Sequence, residues 1–357
     1  MRTLWIAMAM ACTVRCAAAD VPFAPIANLP DYVLTIDAGY TLFHHAGRFR
    51  ADRIEGPKST EYFPADGATH ISVRSDAFDF ASRIELVRHA KPPDDSVAGL
   101  TRGSSNTGER QTHLGESCTV WNVRREDSGR LPTLLSCVTD DGIELWRKII
   151  KPDGSQFSVQ ATRLERRPVA PEEVRPPHSL LALNWWESAD LAQTRPEAPD
   201  HELVMSGRGN TKRTIRRHRA WVSVEETIQD ARRIVRVTHD SRRMWLSYSA
   251  DATGATERMT IFTAVAPPSP PMLPQDLGRT ETILGETCQW LDLAPDMTDT
   301  SRSACVTKDG IRLKEQTTAR DIVLSSWTAV RLTRGPVGVD AVKPPVALFE
   351  PSLWGLE

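Results

Sequence analysis

The sequence lacks an apolar run long enough to cross a bilayer, which takes roughly 20 residues. Near its start the uncharged apolar stretch Leu4 to Val14 has only eleven. A charge excess is also missing: the formal net charge is −2 and the pI about 6.5. That excludes the broadly basic surface of a typical nucleic-acid binder. There is no H-E-x-x-H, no G-x-S-x-G and no Gly-rich phosphate loop, so the common signatures of zinc proteases, serine hydrolases and nucleotide binders are absent. No C-x-x-C occurs either. No long segment shows a clear 3.6-residue apolar period with caps, so helices are expected to be few and short.

What is present is the composition of a globular protein, with 40% apolar and 25% charged residues and a mean hydropathy of −0.35. At 357 residues the chain has room for two ordinary domains. Residues 1–19 read as a signal peptide. Arg2 supplies the positive start, Leu4 to Val14 the apolar core, and Ala17-Ala18-Ala19 the small residues of a cleavage site. Removing them leaves no membrane-spanning segment in the mature chain. The implied location is periplasmic or otherwise secreted.

The remainder repeats itself. Gly115-Glu116-Ser117-Cys118 and Cys137-Val138-Thr139-Asp140-Asp141-Gly142-Ile143-Glu144-Leu145 match Gly285-Glu286-Thr287-Cys288 and Cys305-Val306-Thr307-Lys308-Asp309-Gly310-Ile311-Arg312-Leu313. Downstream, Arg163-Leu164, Arg166, Pro168-Val169, Val174 and Pro176-Pro177 match Arg331-Leu332, Arg334, Pro336-Val337, Val342 and Pro344-Pro345. A period of this size is that of a domain rather than of a solenoid repeat. The sequence therefore reads as a first β domain over 30–185, a linker over 186–201 and a second β domain over 202–357.

Cys12 and Cys16 leave with the signal peptide. Each copy keeps one cysteine pair, so the economical pairing is Cys118–Cys137 and Cys288–Cys305. No histidine stands at metal-ligand spacing from these cysteines, so a zinc site is the weaker reading.

Local patterns alternate with a period of two, as in His70-Ile71-Ser72-Val73-Arg74 and Trp221-Val222-Ser223-Val224-Glu225. This indicates antiparallel sheets with one wet face. Asp141-Gly142 and Asp309-Gly310 lie between strand-like runs and predict two-residue hairpin turns. Pro92-Pro93, Pro267 to Pro274, Pro176-Pro177 and Pro344-Pro345 mark the seams of the copies. The apolar runs Leu180 to Trp186 and Val346 to Phe349 read as segments that close each sheet, with Trp185-Trp186 sealing the join between the copies.

The order of these features resembles one family. Each copy has an alternating region, Leu-Gly-Glu-x-Cys with a nearby Trp, a strand–Asp-Gly–strand hairpin, Arg-Leu-x-Arg-x-Pro-Val and a Val-x-Pro-Pro tail. That order is similar to the bacterial lipoprotein-localisation (LolA-like) superfamily of exported half-barrel proteins, here in tandem. The resemblance implies a mainly β fold: two tandem homologous domains, each a curved, half-barrel-like antiparallel sheet with few short helices. It also implies a concave apolar surface for an acyl chain or an extended apolar peptide.

Candidate functional residues are few. The matched residues are Gly, Pro, Cys, Arg and Leu, which are scaffold types, so no catalytic, cofactor-binding or metal-binding residue is assigned. Glu116, Glu286, Asp141 and Asp309 recur beside turns and disulfides and read as structural. The nine histidines are scattered and none of the obvious ones recurs, and the His44-His45 pair reads as a surface loop. Arg163 and Arg331 on a late strand are candidate ligand or partner contacts, although these arginines, with Arg166 and Arg334, serve equally as intradomain partners of Glu116 and Glu286. Trp221 and Trp245 are candidate ligand or partner contacts lining a cavity, with filling of a sheet core as the preferred reading. Trp121 and Trp290 read as core beside the disulfides. Arg208, Lys212, Arg213, Arg216, Arg217 and Arg219 form a basic cluster, read as a solvated strand edge or as a face toward an anionic envelope surface. The functional expectation is an exported non-enzymatic binding protein without a cofactor. It would carry a lipid, acyl chain or lipoprotein in the cell envelope, with peripheral membrane contact. The alternative is a protein-interaction or scaffold factor of envelope assembly or stress sensing. No nucleic-acid partner is expected.

Overall fold

The computed structural model describes residues 29–54, 56, 58–63, 69–75, 81–88, 105–123, 133–181, 198–228, 232–239, 244–264, 274–293, 300–320 and 322–356. The expected signal peptide, Pro92-Pro93, residues 267–273, Trp185-Trp186 and most of the expected linker lie outside them. The chain divides into one unit of Met1–Leu181 with Pro351–Glu357 and another of Ala182–Glu350.

The fold is mainly β. In the first unit the strands are β1 (Tyr32–Ile36), β2 (Tyr40–His45), β3 (Arg48–Arg53), β4 (Ser59–Phe63), β5 (Thr69–Ser75), β6 (Ala81–Arg88), β7 (Ser105–His113), β8 (Glu116–Val123), β9 (Thr133–Thr139), β10 (Glu144–Ile150) and β11 (Gln156–Glu165). Antiparallel pairing gives the order β6-β5-β4-β3-β2-β1-β11-β10-β9-β8-β7. The chain runs out along one half, returns along the other, and its first and last strands meet in the middle. The sheet does not close into a barrel.

The second unit has β12 (His201–Ser206), β13 (Lys212–His218), β14 (Trp221–Ile228), β15 (Arg232–His239), β16 (Met244–Ala250), β17 (Thr256–Ala264), β18 (Gln275–Ile283), β19 (Glu286–Asp292), β20 (Thr300–Thr307), β21 (Arg312–Ala319) and β22 (Ile322–Arg334). Their order, β17-β16-β15-β14-β13-β12-β22-β21-β20-β19-β18, is the same strand for strand. Register agrees as well. Leu34 faces Leu164 and Leu203 faces Leu332, and each pair is followed by a bulge, at Thr35/Ile36 and at Val204/Met205.

Alternation places Leu34, Leu42, Phe49, Ala51, Leu145 and Ala161 in one buried cluster around Cys118 and Cys137. Leu203, Met205, Ile311, Leu313 and Ala329 form its counterpart around Cys288 and Cys305. Both disulfides are formed, with Cα–Cα distances of 5.4 and 5.2 Å. Each ties neighbouring strands diagonally: Cys118 faces Thr139 while Cys137 faces Val120. Trp290 faces Cys305 and joins the core. Trp121 departs from expectation. It stands one place further along and faces Ser136, so Val120 fills the core position and Trp121 is half-buried on the other side.

The two kinds of hairpin turn differ from the sequence reading. The Asp-Gly turns are three-residue loops closed by Thr139 N–H to Ile143 O and by Thr307 N–H to Ile311 O, both at 2.9 Å. Only Gly142 and Gly310 take positive φ there, whereas a two-residue type I′ turn requires it of both central residues. The threonine hydroxyls complete these loops by donating to Asp141 and Asp309. True two-residue turns with both φ positive occur at Leu114-Gly115 and Leu284-Gly285. A leucine in the left-handed region is strained, and both are exposed. Leu284→Asn should therefore raise stability by up to about 1 kcal/mol, read from the shift of the urea midpoint. A lowered midpoint would show that the leucine packs usefully.

After the last strand each unit closes with a buried valine on the outer side. Val174, at the end of the short helix α1 (Pro171–Val174), packs with Val169, Val33 and Phe43. Val342 is equally buried in the second unit. Two polar clasps hold these tails. Arg166 donates to Glu116 at 2.9 Å and to Asp141 at 2.5 Å. Arg334 donates to Glu286 and, at 2.9 Å, to Asp309. These contacts bear out the intradomain reading of Arg166 and Arg334.

The second clasp corrects the reading that none of the obvious histidines recurs. His45 Nδ1 meets Asp31 at 3.0 Å and Asp31 accepts from Val169 N–H at 3.0 Å. His218 Nδ1 meets Asp200 at 2.8 Å, and Asp200 accepts from Arg219 N–H. Asp31 and Asp200 each precede the first strand of their unit, and both histidines end the second. Different spacing between these strands hides the match from a fixed-offset comparison. His44 and His45 also lie on β2 rather than in a surface loop. His44 is fully buried, its Nδ1–H donating to Pro30 O while Nε2 accepts from Gly47 N–H.

These clasps carry a pH dependence. Burial works to raise the Asp31 and Asp200 carboxyls, but backbone N–H groups and the histidines hold both below the usual value. Arg334 lowers Glu286 and Asp309, and Arg167 with the Ala170 N–H brings Glu173 down to about 2. Carboxyls depressed in the folded state stabilise it above their unfolded pKa and lose that contribution as pH falls through the folded one. Their contribution to the melting temperature should hold from pH 7 to about 5 and be lost below about pH 4. Scanning calorimetry across pH checks this; a melting temperature that does not fall below about pH 4 contradicts it.

Candidate functional site

The second unit holds a cleft of about 450 Å³ on the face that carries its core. Cross-strand partners share a face, so the register fixes what lines it. One row runs Leu203, Ile215, Val224, Arg236 across β12 to β15; the next runs His201, Arg217, Val222, Thr238. From the other half of the sheet, Arg302, Arg312, Glu315 and Trp327 line the same cleft. β15 and β20 are six places apart in the strand order, roughly 29 Å in a flat sheet. Their shared cleft reflects the curvature of the sheet.

The same positions in the first unit enclose about 60 Å³. Register equates Arg213, Arg217, Arg236, Arg302 and Arg312 with Tyr40, His44, Glu61, Leu134 and Glu144. It equates Val222 and Thr238 with Phe49 and Phe63. In the first unit, aromatic rings fill the hollow: Tyr32 stacks on His44, and His44 lies tilted against Phe49 with 4.6 Å between centroids. In the second, smaller aliphatic and hydroxyl side chains leave it open. Five guanidiniums then share the cleft with two carboxylates, Glu226 and Glu315.

These charges are not equivalent. Arg213 is held by Glu226 at 2.7 Å and Glu315 at 2.7 Å, and lies 4.0 Å over the Trp327 ring. Trp327 fits there because residue 207 is glycine: a Cβ at Gly207 would come within 2.8 Å of the ring. Arg217 is buried beside His201. Burial, with the Arg217 charge nearby, pushes the His201 imidazole pKa down despite its bond to Pro199 O, so His201 adds no charge at neutral pH. Arg236 and Arg302 are exposed and have no carboxylate partner among the described residues, and Arg312 comes only to 3.8 Å from Glu315.

The sequence-derived candidates are scattered around this site. Trp245 faces Thr238, on the cleft side of the sheet. It stacks on Phe262 with 5.6 Å between centroids, and Arg236 lies 5.5 Å from its ring centroid. Trp221 belongs to the neighbouring row and points to the opposite face. There it is 2% exposed, edge-on to His239 and under Lys343. Arg163 and Arg331 stand outside the cleft, exposed and paired with Glu165 and Glu202, each at 2.7 Å. The basic cluster is not a strand edge, because β13 is paired on both sides. Alternation splits it: Arg213 and Arg217 enter the cleft, while Arg216 bonds Glu202 and Glu225 on the other face. Sequence reading missed Arg236, Arg302, Arg312 and Trp327. In register they stand where the first unit has Glu61, Leu134, Glu144 and Val159, a comparison that only the strand pairing makes possible.

No protein-family model matches the chain, and no curated protein sequence does. Among solved structures, the crystal structure of MucB in complex with MucA(peri) aligns at 12% identity over 90% of this chain and 100% of that one, with a TM-score of 0.27. The MucA/MucB complex of Pseudomonas aeruginosa gives 12%, 90%, 99% and 0.27. Likeness at this level carries no argument about function.

Proposed function

We propose that this chain is an exported, non-enzymatic binding protein of the cell envelope, acting as a protein-interaction or scaffold factor, with its ligand site in the cleft of the second unit. The single observation behind this reading is the contrast between the units. One scaffold, in one register, is filled by aromatic residues in the first copy and hollow in the second. An unfilled hollow forfeits packing, so a fold that can fill it and does not is better explained by an occupant. Two buried disulfides fit an oxidising, extracytoplasmic compartment. The carrier role implied by the LolA-like resemblance asks for a continuous apolar cavity. Here charged groups interrupt the aliphatic lining, which favours a polar partner over an acyl chain.

The test is a photo-crosslinking residue in place of Val224, in protein expressed in its own envelope, followed by mass spectrometry. A discrete adduct at position 224, absent when the same group replaces exposed Ile322, is the expected result. Identical patterns at the two positions, or monomer alone at both, would refute a site in this cleft.

A further inference from the structure

We infer that the occupant of the second unit's cleft is an acidic polypeptide segment. Its carboxylates would meet Arg236, Arg302 and Arg312, and its aliphatic side chains would cover Ile215, Val224 and Ile234. The inference rests on the cleft being a ligand site and adds the chemistry of what enters it.

Charge complementarity carries the argument. The cleft holds five arginines and two glutamates, and Arg213 already engages both glutamates. With Arg217 buried beside His201, the three remaining guanidiniums are distributed on both sides of an aliphatic floor. Arg236 lies on β15 at one side and Arg302 and Arg312 on β20 and β21 at the other, while the half-buried Ile215 and Val224 occupy the strands between. The scaffold does not require these arginines, because the first unit builds the same sheet with glutamate at two of these three positions and leucine at the third. Guanidinium groups are suited to paired bonds with carboxylates. Successive side chains of an extended peptide point to opposite sides, so one stretch can set aliphatic groups on the floor and acids toward the rim. An acyl chain would have to run past the same charges without engaging them.

The experiment uses the full mature chain and a fluorescent synthetic peptide in which glutamate alternates with valine and leucine, read by anisotropy. The peptide should bind, with affinity falling as salt rises. The triple variant Arg236→Glu, Arg302→Leu, Arg312→Glu installs the first unit's own residues and should cost at least about tenfold in affinity. Circular dichroism confirms that it folds, and the milder Arg236→Gln should weaken binding in the same direction. Equal binding of a peptide with lysine in place of glutamate, unchanged affinity in the triple variant, or binding to phosphatidylglycerol vesicles instead of the peptide would each overturn the assignment. A position-224 crosslink in the envelope without affinity for the acidic peptide leaves the site standing and removes its acidic ligand. Absence of both removes the site as well.

Discussion

Leu313→Ala should destabilise the second unit by about 2–5 kcal/mol, and Leu145→Ala should do the same to the first. Both side chains are essentially inaccessible to solvent and sit in the cluster around their unit's disulfide. Each follows an Asp-Gly loop whose backbone is locked by a threonine hydroxyl, so the strand cannot slide to fill the void. The cost therefore includes the cavity as well as the lost transfer free energy. Urea denaturation followed by near-ultraviolet circular dichroism measures it. A loss below about 1 kcal/mol at either site would mean that the side chain is not part of a close-packed core.

Replacing both cysteines of either pair by alanine should cost on the order of 3 kcal/mol, because each bond closes a loop of 19 or 17 residues that is otherwise free in the unfolded chain. All four sulfurs are in buried residues, so alanine leaves a small void in addition. A reductant breaks both bonds of the wild-type protein, so unfolding in its presence should show the two losses together. An unchanged urea midpoint under reduction would show that the bonds do not bear on stability. The two replacements act on separate clusters, so their effects should add.

Much of the fold was legible in short-range patterns. The Cys-Val-Thr-x-Asp-Gly-Ile run predicts a hairpin in each copy, and the hairpins form; alternation predicts which residues face the core. The failures share a cause. Asp141-Gly142 looks like a two-residue turn, but only the glycine adopts positive φ, so the loop takes an extra residue. Trp121 and Trp290 look equivalent, yet a one-residue difference from the cysteine moves a side chain to the other face of a strand. His45 and His218 look unrelated because insertions between strands shift their numbers relative to one another.

The sequence by itself determined the mainly β class, the repeated order of motifs and the cysteine pairing, because alternation and hairpin signals act over a few positions. Only the tertiary structure decided which arginines share a cleft. Arg236, Arg302 and Arg312 come from three strands, and no local pattern shows that a curved sheet brings them to one cleft. Nor does local pattern show that the first unit fills the same space with rings. Curvature and register are set by contacts among residues far apart in the chain, so the hollow that defines the proposed site exists only once the sheet has formed.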